Sequence, residues 1–144
     1  MIAIHDNEVQ SYTVDLKNHT IRLDTTWAHE DRREHSLIEF RGVMAHYLHG
    51  ANNWQNVLNR IEEEPLETWF LEYEAVLEAA KGIGWPCLYE DRDDLLRQLR
   101  EEKMECFQIY DVIGLYGWVL AQEMEFVAMD ETPQASYNHF DLFR

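Results

Sequence analysis

The sequence predicts an α+β domain: a mostly antiparallel sheet of about six strands, in the order β-β-β-β-α-α-β-β, with two helices packed on one face. Three observations carry that expectation. Apolar residues alternate with polar ones between Tyr12 and Trp27, fall at helical spacing from Leu66 to Ala80, and return to alternation after Cys106.

Tyr12, Val14 and Leu16 form one alternating run; after Lys17-Asn18-His19 it resumes at Ile21, Leu23, Thr25 and Trp27. This is a hairpin with one apolar face. Residues 28–35 are highly polar and read as a link. Leu37 to His49 reads as a third strand in which Ile38 and Phe40 hold even positions, while Val43, Ala45 and Tyr47 hold odd ones. A glycine, Gly42, lies at the change of parity, as a β-bulge would place it. Met44 and Leu48 make the other face apolar too, which predicts a central strand covered on both sides.

After the turn Gly50-Ala51-Asn52-Asn53, a short strand covers Val57 to Glu62 with Val57, Asn59 and Ile61 on one face. The period then changes. Leu66, Trp69, Phe70, Tyr73, Val76, Leu77 and Ala80 are spaced as the buried stripe of one helix, with Pro65 as its first residue and Gly82, Gly84 and Pro86 as its end. A shorter helix covers about Arg92 to Glu102, capped by Asp91 and buried through Leu95, Leu96 and Leu99. Cys106 to Ile113 and Tyr116 to Ala128 complete the strands. In the latter, Tyr116, Trp118, Leu120, Met124 and Phe126 share one parity.

The 144 residues, 46% of them hydrophobic, suit a single domain over residues 1–144, with a core at about 9–128 and a C-terminal tail at 129–144. Tyr137, Phe140 and Phe143 suggest that the tail docks onto something. The 6 Phe, 5 Trp and 7 Tyr supply a core that a disordered chain lacks. The first residues carry no basic region followed by an apolar run. The longest nearly continuous apolar stretch, Val112 to Ala121, is far shorter than the roughly 20 residues needed to span a bilayer. These features lead to the expectation of a cytoplasmic chain with no membrane partner. Cys87 and Cys106, not in Cys-x-x-Cys spacing, read as reduced thiols.

Several chemistries lack their residues. No glycine pattern of a phosphate-binding loop is present, and Ser11, Ser36 and Ser136 lack the flanking glycines of a hydrolase elbow. No cofactor and no catalytic residue is expected. The sharpest enzymatic alternative is a small-ligand or metal-dependent enzyme built on clustered histidines: His29 and His35 in the polar link, and His46 and His49 in H-x-x-H spacing. Against it, residues i and i+3 of a strand point to opposite faces. Glu39, within the apolar run Ile38–Phe40, needs a partner, and Arg41 on the same face is the obvious one.

Charge carries the main functional expectation. With 28 acids against 12 bases the formal net charge is −16, which argues against a nucleic-acid partner and favours a basic protein partner. Glu62, Glu63, Glu64 and Glu67 precede or open the long helix, and Asp91, Asp93 and Asp94 the short one; two helix N-termini are expected to bring these acids together as a partner-binding face. Helix capping accounts for some of them but not for the whole excess. A homo-oligomer formed through surface aromatics or the tail is a further expectation.

Leu37-Ile-Glu-Phe-Arg-Gly-Val-Met-Ala-His-Tyr, Asn56-Val-Leu-Asn-Arg-Ile-Glu-Glu, Gly84-Trp-Pro and Tyr110 to Ala121, ending Gly-Leu-Tyr-Gly-Trp-Val-Leu-Ala, resemble a family of small stand-alone bacterial proteins. Some members of that family look like immunity partners of polymorphic toxins. The resemblance covers most of residues 9–128 and excludes the tail. It implies an immunity-type role and supplies no active site; the acidic surface itself suits a non-enzymatic inhibitor that blocks a basic toxin or nuclease by imitating a polyanion.

Overall fold

Alternation in the first part of the chain becomes antiparallel ladder, and it extends further than its composition suggests. The computed structural model describes residues 4–29 and 32–133. The strands are β1 (Glu8–Asp15), β2 (Thr20–His29), β3 (Arg32–Arg41), β4 (Ala45–His49), β5 (Val57–Glu64), β6 (Glu105–Ile113), β7 (Tyr116–Ala121) and β8 (Glu123–Pro133). The helices are α1 (Leu66–Glu72), α2 (Glu74–Ala80) and α3 (Arg92–Glu101), with a 3₁₀ turn at Lys81–Ile83. The fold is α+β. Its sheet has eight strands, not about six, ordered β4-β7-β6-β5-β1-β2-β3-β8, and every pairing is antiparallel.

Each departure from expectation has a local cause. The polar stretch read as a link forms the far arms of the β2–β3 hairpin, with Thr26 opposite His35 and His29 opposite Arg32. Ladder hydrogen bonds and cross-strand pairs hold it there, where composition alone suggests a loop. Leu37–His49 is two strands because the chain bends at Gly42, whose φ is +65° and whose added Cβ would lie 2.4 Å from Gln122 Oε1. Tyr116–Ala128 is likewise two strands, divided at Gln122. The long helix is broken at Tyr73 (φ −112°, ψ 19°), giving three helices instead of two. Pro65 is the N-cap of α1 and not its first helical residue. In β5 the register shifts around Leu58, so Leu58 and Ile61 are buried, displacing the expected Val57–Asn59–Ile61 face.

The two bends face one another and roll the sheet. β3 pairs with β8, β4 pairs with β7, and the ladder crosses the bends through Gln122 N–H to Arg41 O (3.0 Å) and Met44 N–H to Leu120 O (2.9 Å). Since β6, β5, β1 and β2 link β7 back to β3, the sheet curls into a barrel. Inward positions from its strands, among them Val9, Leu23, Phe40, Ile61, Ile109 and Val119, make one buried core. Successive residues of β6 and β7 alternate between the two sides. Phe107, Ile109, Val119 and Ala121 point into the barrel, whereas Cys106, Trp118 and Leu120 point outward to a second core under the helices. There Trp69, Phe70, Leu77, Leu95, Leu96 and Leu99 cover them. Asp91 caps α3 as expected, accepting from Asp94 N–H at 2.9 Å.

β3 is internal to the sheet, but its outer face is not covered. Glu39 lies there within an ionic lattice: Arg41 Nη1 donates to Glu39 Oε1 at 2.8 Å and to Glu125 Oε1 at 3.1 Å, and Arg41 Nε donates to Glu123 Oε1 at 2.7 Å. The expected Glu39–Arg41 pair therefore forms on a half-exposed surface. Only the β4 half of the run is covered, by Tyr47 packing with Trp85 and Trp118.

Candidate functional site

The acidic residues come from three elements. Glu62, Glu63 and Glu64 end β5, Glu67 lies in the first turn of α1, and Asp91, Asp93 and Asp94 begin α3. Arg92, the first residue of α3, lies over the Phe70 ring of α1 and acts electrostatically on Glu67. Arg100, in the last turn of α3, donates to Glu67, which places that carboxylate beside the C-terminal end of the helix. Asp93 and Asp94 lie two turns back, roughly 10 Å along the axis. Asp94 is occupied locally: the Glu90 N–H bond, then the Arg97 guanidinium, hold its carboxyl below the usual range. Its own backbone N–H and then Arg100 do the same for Glu67.

At the end of β5 the acids crowd each other instead. Burial, followed by the adjacent Glu64 carboxylate, raises the Glu72 carboxyl above its ordinary range. Burial and Glu63 act in the same way on Glu105. Glu64 also accepts from the Tyr110 hydroxyl at 3.2 Å, and burial followed by that carboxylate pushes the phenol up to about 12. Glu62 has Arg60 at 3.3 Å, whose guanidinium lies over the Tyr110 ring. The result is two like-charged pairs at the end of β5, Glu64 with Glu72 on the helix-covered side of the sheet and Glu63 with Glu105 on the barrel side, with Arg60 beside Glu62.

Such pairs oppose folding when ionised. An acid whose folded pKa is raised binds its proton more tightly in the native state, so the penalty is fully present at neutral pH and fades as pH falls through the raised carboxyl range. Glu72→Gln and Glu105→Gln are each expected to stabilise the chain at pH 7 by about 0.3–0.5 kcal/mol, since exposure screens the repulsion. Urea denaturation at pH 7 and pH 4 checks this. The gain over the parent protein should shrink at the lower pH, and a destabilised variant at pH 7 would contradict the repulsion.

The four histidines of the metal alternative do not converge where the structure describes them. His49 lies against Tyr116, with ring centroids 3.9 Å apart, and against Tyr47. His46, on the opposite face of β4, lines a groove with His19 and Asp15, and burial lowers its pKa. His35 lines a cavity at a different end of the barrel. The side chain of His29 lies outside the described residues, as do Tyr137, Phe140 and Phe143 of the tail. Among the described residues no three of His, Cys, Asp and Glu are grouped to hold a metal ion. Both thiols are free, and burial raises each above the ordinary range, which opposes thiolate chemistry. No described helix is long and apolar enough to cross a membrane.

Sequence reasoning missed Glu72 and Glu105, since neither adjoins the Glu62–Glu64 run; only strand pairing and helix packing bring them to it. It also missed His5, Asp6 and Asn7, which line the cavity that His35 joins. Compared with known proteins, the chain matches no family model, no curated protein and no solved structure.

Proposed function

We propose that the chain is a non-enzymatic protein-binding domain whose acidic edge at the end of β5, where Glu62, Glu64 and Glu72 lie on one side of the sheet and Glu63 and Glu105 on the other, receives a basic protein partner in the manner of an immunity-type inhibitor. The observation that carries this reading is the pairing of like charges, Glu64 with Glu72 and Glu63 with Glu105, in a chain of net charge −16. A lysine or arginine placed between such carboxylates relieves repulsion that the free domain bears, so part of the binding energy comes from the domain itself. Exposed Leu71 at the end of α1, beside Glu72, adds apolar contact area at the same place. The Asp91–Asp94 patch extends the field that steers a basic partner. The likeness to small bacterial proteins resembling toxin-immunity partners implies the same class of function.

The test uses a labelled deca-lysine peptide as probe. Affinity should fall at least tenfold between roughly 50 and 300 mM salt, and Glu63→Lys should slow association by about tenfold. Asp94→Lys should slow it less, because that charge is already balanced by Arg97. Glu125→Lys, on the distant Arg41 lattice, controls for net charge. Equal effects of Glu63→Lys and Glu125→Lys, or binding indifferent to salt, would remove this edge from consideration.

A further inference from the structure

The inward columns of the barrel change character along their length. On β2 the sequence of inward residues is Ile21, Leu23, Thr25, Trp27; opposite them on β3 stand Phe40, Ile38, Ser36 and Glu34. On β8 the partners of Phe40, Ile38 and Ser36 are Met124, Phe126 and Ala128. The first β2–β3 pairs, Ile21 with Phe40 and Leu23 with Ile38, are fully buried and apolar, whereas Phe126 on β8 is 38% exposed. The later ones are polar although still enclosed: Thr25 is 1% exposed, and Ser36 and Asn7 are each 7% exposed. A barrel filled by its own side chains has no reason to place polar groups on inward positions, where each must find a partner.

These polar positions border a cavity of about 500 Å³ at the barrel mouth. Its lining includes Asn7, Ser36, Glu34 and Asp6, with Trp27 and Phe126 as aromatic walls. The framework below it is fixed. Asn7 Nδ2 donates to Thr25 Oγ1 at 3.1 Å, and Thr25 Oγ1 reaches Ser36 O at 3.4 Å. That leaves Asn7 Oδ1 and Ser36 Oγ without a side-chain partner among the described residues. The β3–β8 register also shifts between Glu34 and Ser36, and Asp6 holds φ at +73°; bulges and positive φ are local distortions that re-aim side chains.

The chemistry of the lining selects a ligand. It presents acceptors (two carboxylates, an amide oxygen and a hydroxyl) and no lysine or arginine among the described lining residues. Among the described lining residues the basic side chains are His5 and His35, and His5 Nδ1 lies 3.1 Å from Asp6 Oδ2, so Glu34 is the second carboxylate of the lining. Aromatic faces beside a carboxylate attract an organic cation through both ring quadrupole and ion pair. We propose that the barrel mouth is a binding site for a small arylalkylammonium ion, its ammonium at Glu34, Ser36 Oγ and Asn7 Oδ1 and its apolar body between Trp27 and Phe126. Mouths of β-barrels are common places for such sites, and the cavity has room for a molecule of this size.

The test titrates the intact chain with phenethylammonium, 2-phenylethanol and 3-phenylpropanoate while following backbone amides by NMR. Phenethylammonium should bind saturably, with a dissociation constant on the order of 1 mM or tighter, shifting amides of residues 25–27, 34–36 and 126–128. The alcohol should bind about tenfold more weakly and the carboxylate not at all, a comparison that needs no variant. Glu34→Gln and Phe126→Ala should each weaken phenethylammonium by about fivefold or more, whereas Glu64→Gln should leave it unchanged. No saturation, equal binding of the ammonium and the alcohol, or sensitivity to Glu64→Gln with none to Glu34→Gln would overturn the assignment. The last outcome would move the cation to the acidic edge at the end of β5.

Discussion

Trp118→Ala is expected to destabilise the chain by about 3–5 kcal/mol, the largest effect of any single side-chain truncation in the helix-covered core. Trp118 is 0% exposed on β7, where its ring stacks on Tyr47 at 6.0 Å and takes edge contacts from Trp69 at 5.3 Å and Tyr73 at 5.7 Å. Trp85 closes the group at 5.6 Å. Those rings come from β4, α1, the α1–α2 break and the loop before α3, so a cavity at Trp118 loosens every element packed on the outer face of the sheet. Domains of this kind are stable by about 5–15 kcal/mol, and a loss of this size takes a large part of the margin. Trp118→Phe separates packing from polarity. The Trp118 Nε1 group is buried without a hydrogen-bond partner among the described residues, so phenylalanine forfeits volume but none of the described bonds. Equilibrium urea denaturation followed by far-UV circular dichroism should place the phenylalanine variant well above the alanine variant. Equal losses would mean that a phenyl ring recovers none of the packing and that the cluster depends on the full indole.

The same cluster shows why parts of the fold were legible and others were not. The β1–β2 hairpin follows from strict alternation, and the bend at Gly42 follows from the parity change between Phe40 and Val43. The bend at Gln122 has no such signature. Trp118 and Leu120 face the helices, whereas Met124, of the same parity, packs against the barrel interior. Since both faces of that run are apolar, the change of side leaves the pattern intact. The break at Tyr73 is hidden for a related reason, because Tyr73 itself packs into the core and continues the helical stripe. Polar composition misled at His29–His35, where cross-strand pairing outweighs it. For the candidate sites, the run Glu62–Glu64 announces negative charge, yet its like-charged partners Glu72 and Glu105 are brought in by tertiary structure alone. At the barrel mouth a signal did exist: Thr25 and Ser36 interrupt otherwise apolar inward columns, and the pairing of β2 with β3 places them opposite one another.

Gly117→Ala is expected to cost about 2–4 kcal/mol, because two penalties coincide at this position. Its φ is +141°, a conformation that side chains rarely adopt, and an added Cβ would lie 1.9 Å from Tyr47 O. That carbonyl belongs to β4, which among the described residues pairs with β7 alone, Leu48 opposite Gly117 and Tyr47 opposite Trp118. Neither backbone can yield while both remain in the ladder, so the clash is relieved by displacing β4. The loss should therefore be local before it is global. Amide exchange at Ala45–His49 should accelerate more than in β2 or β3, whose ladder is remote from the change. Displacing β4 also lifts the Tyr47 ring from Trp118, so tryptophan emission should shift to the red under native conditions. Uniform loss of protection across all strands would instead show that β4 is indispensable to barrel closure, since its pairing with β7 continues the β3–β8 ladder past the two bends. Unchanged exchange at β4 would mean that the Gly117 backbone can accept a side chain without moving its neighbour, contrary to the geometry of the β4–β7 pair.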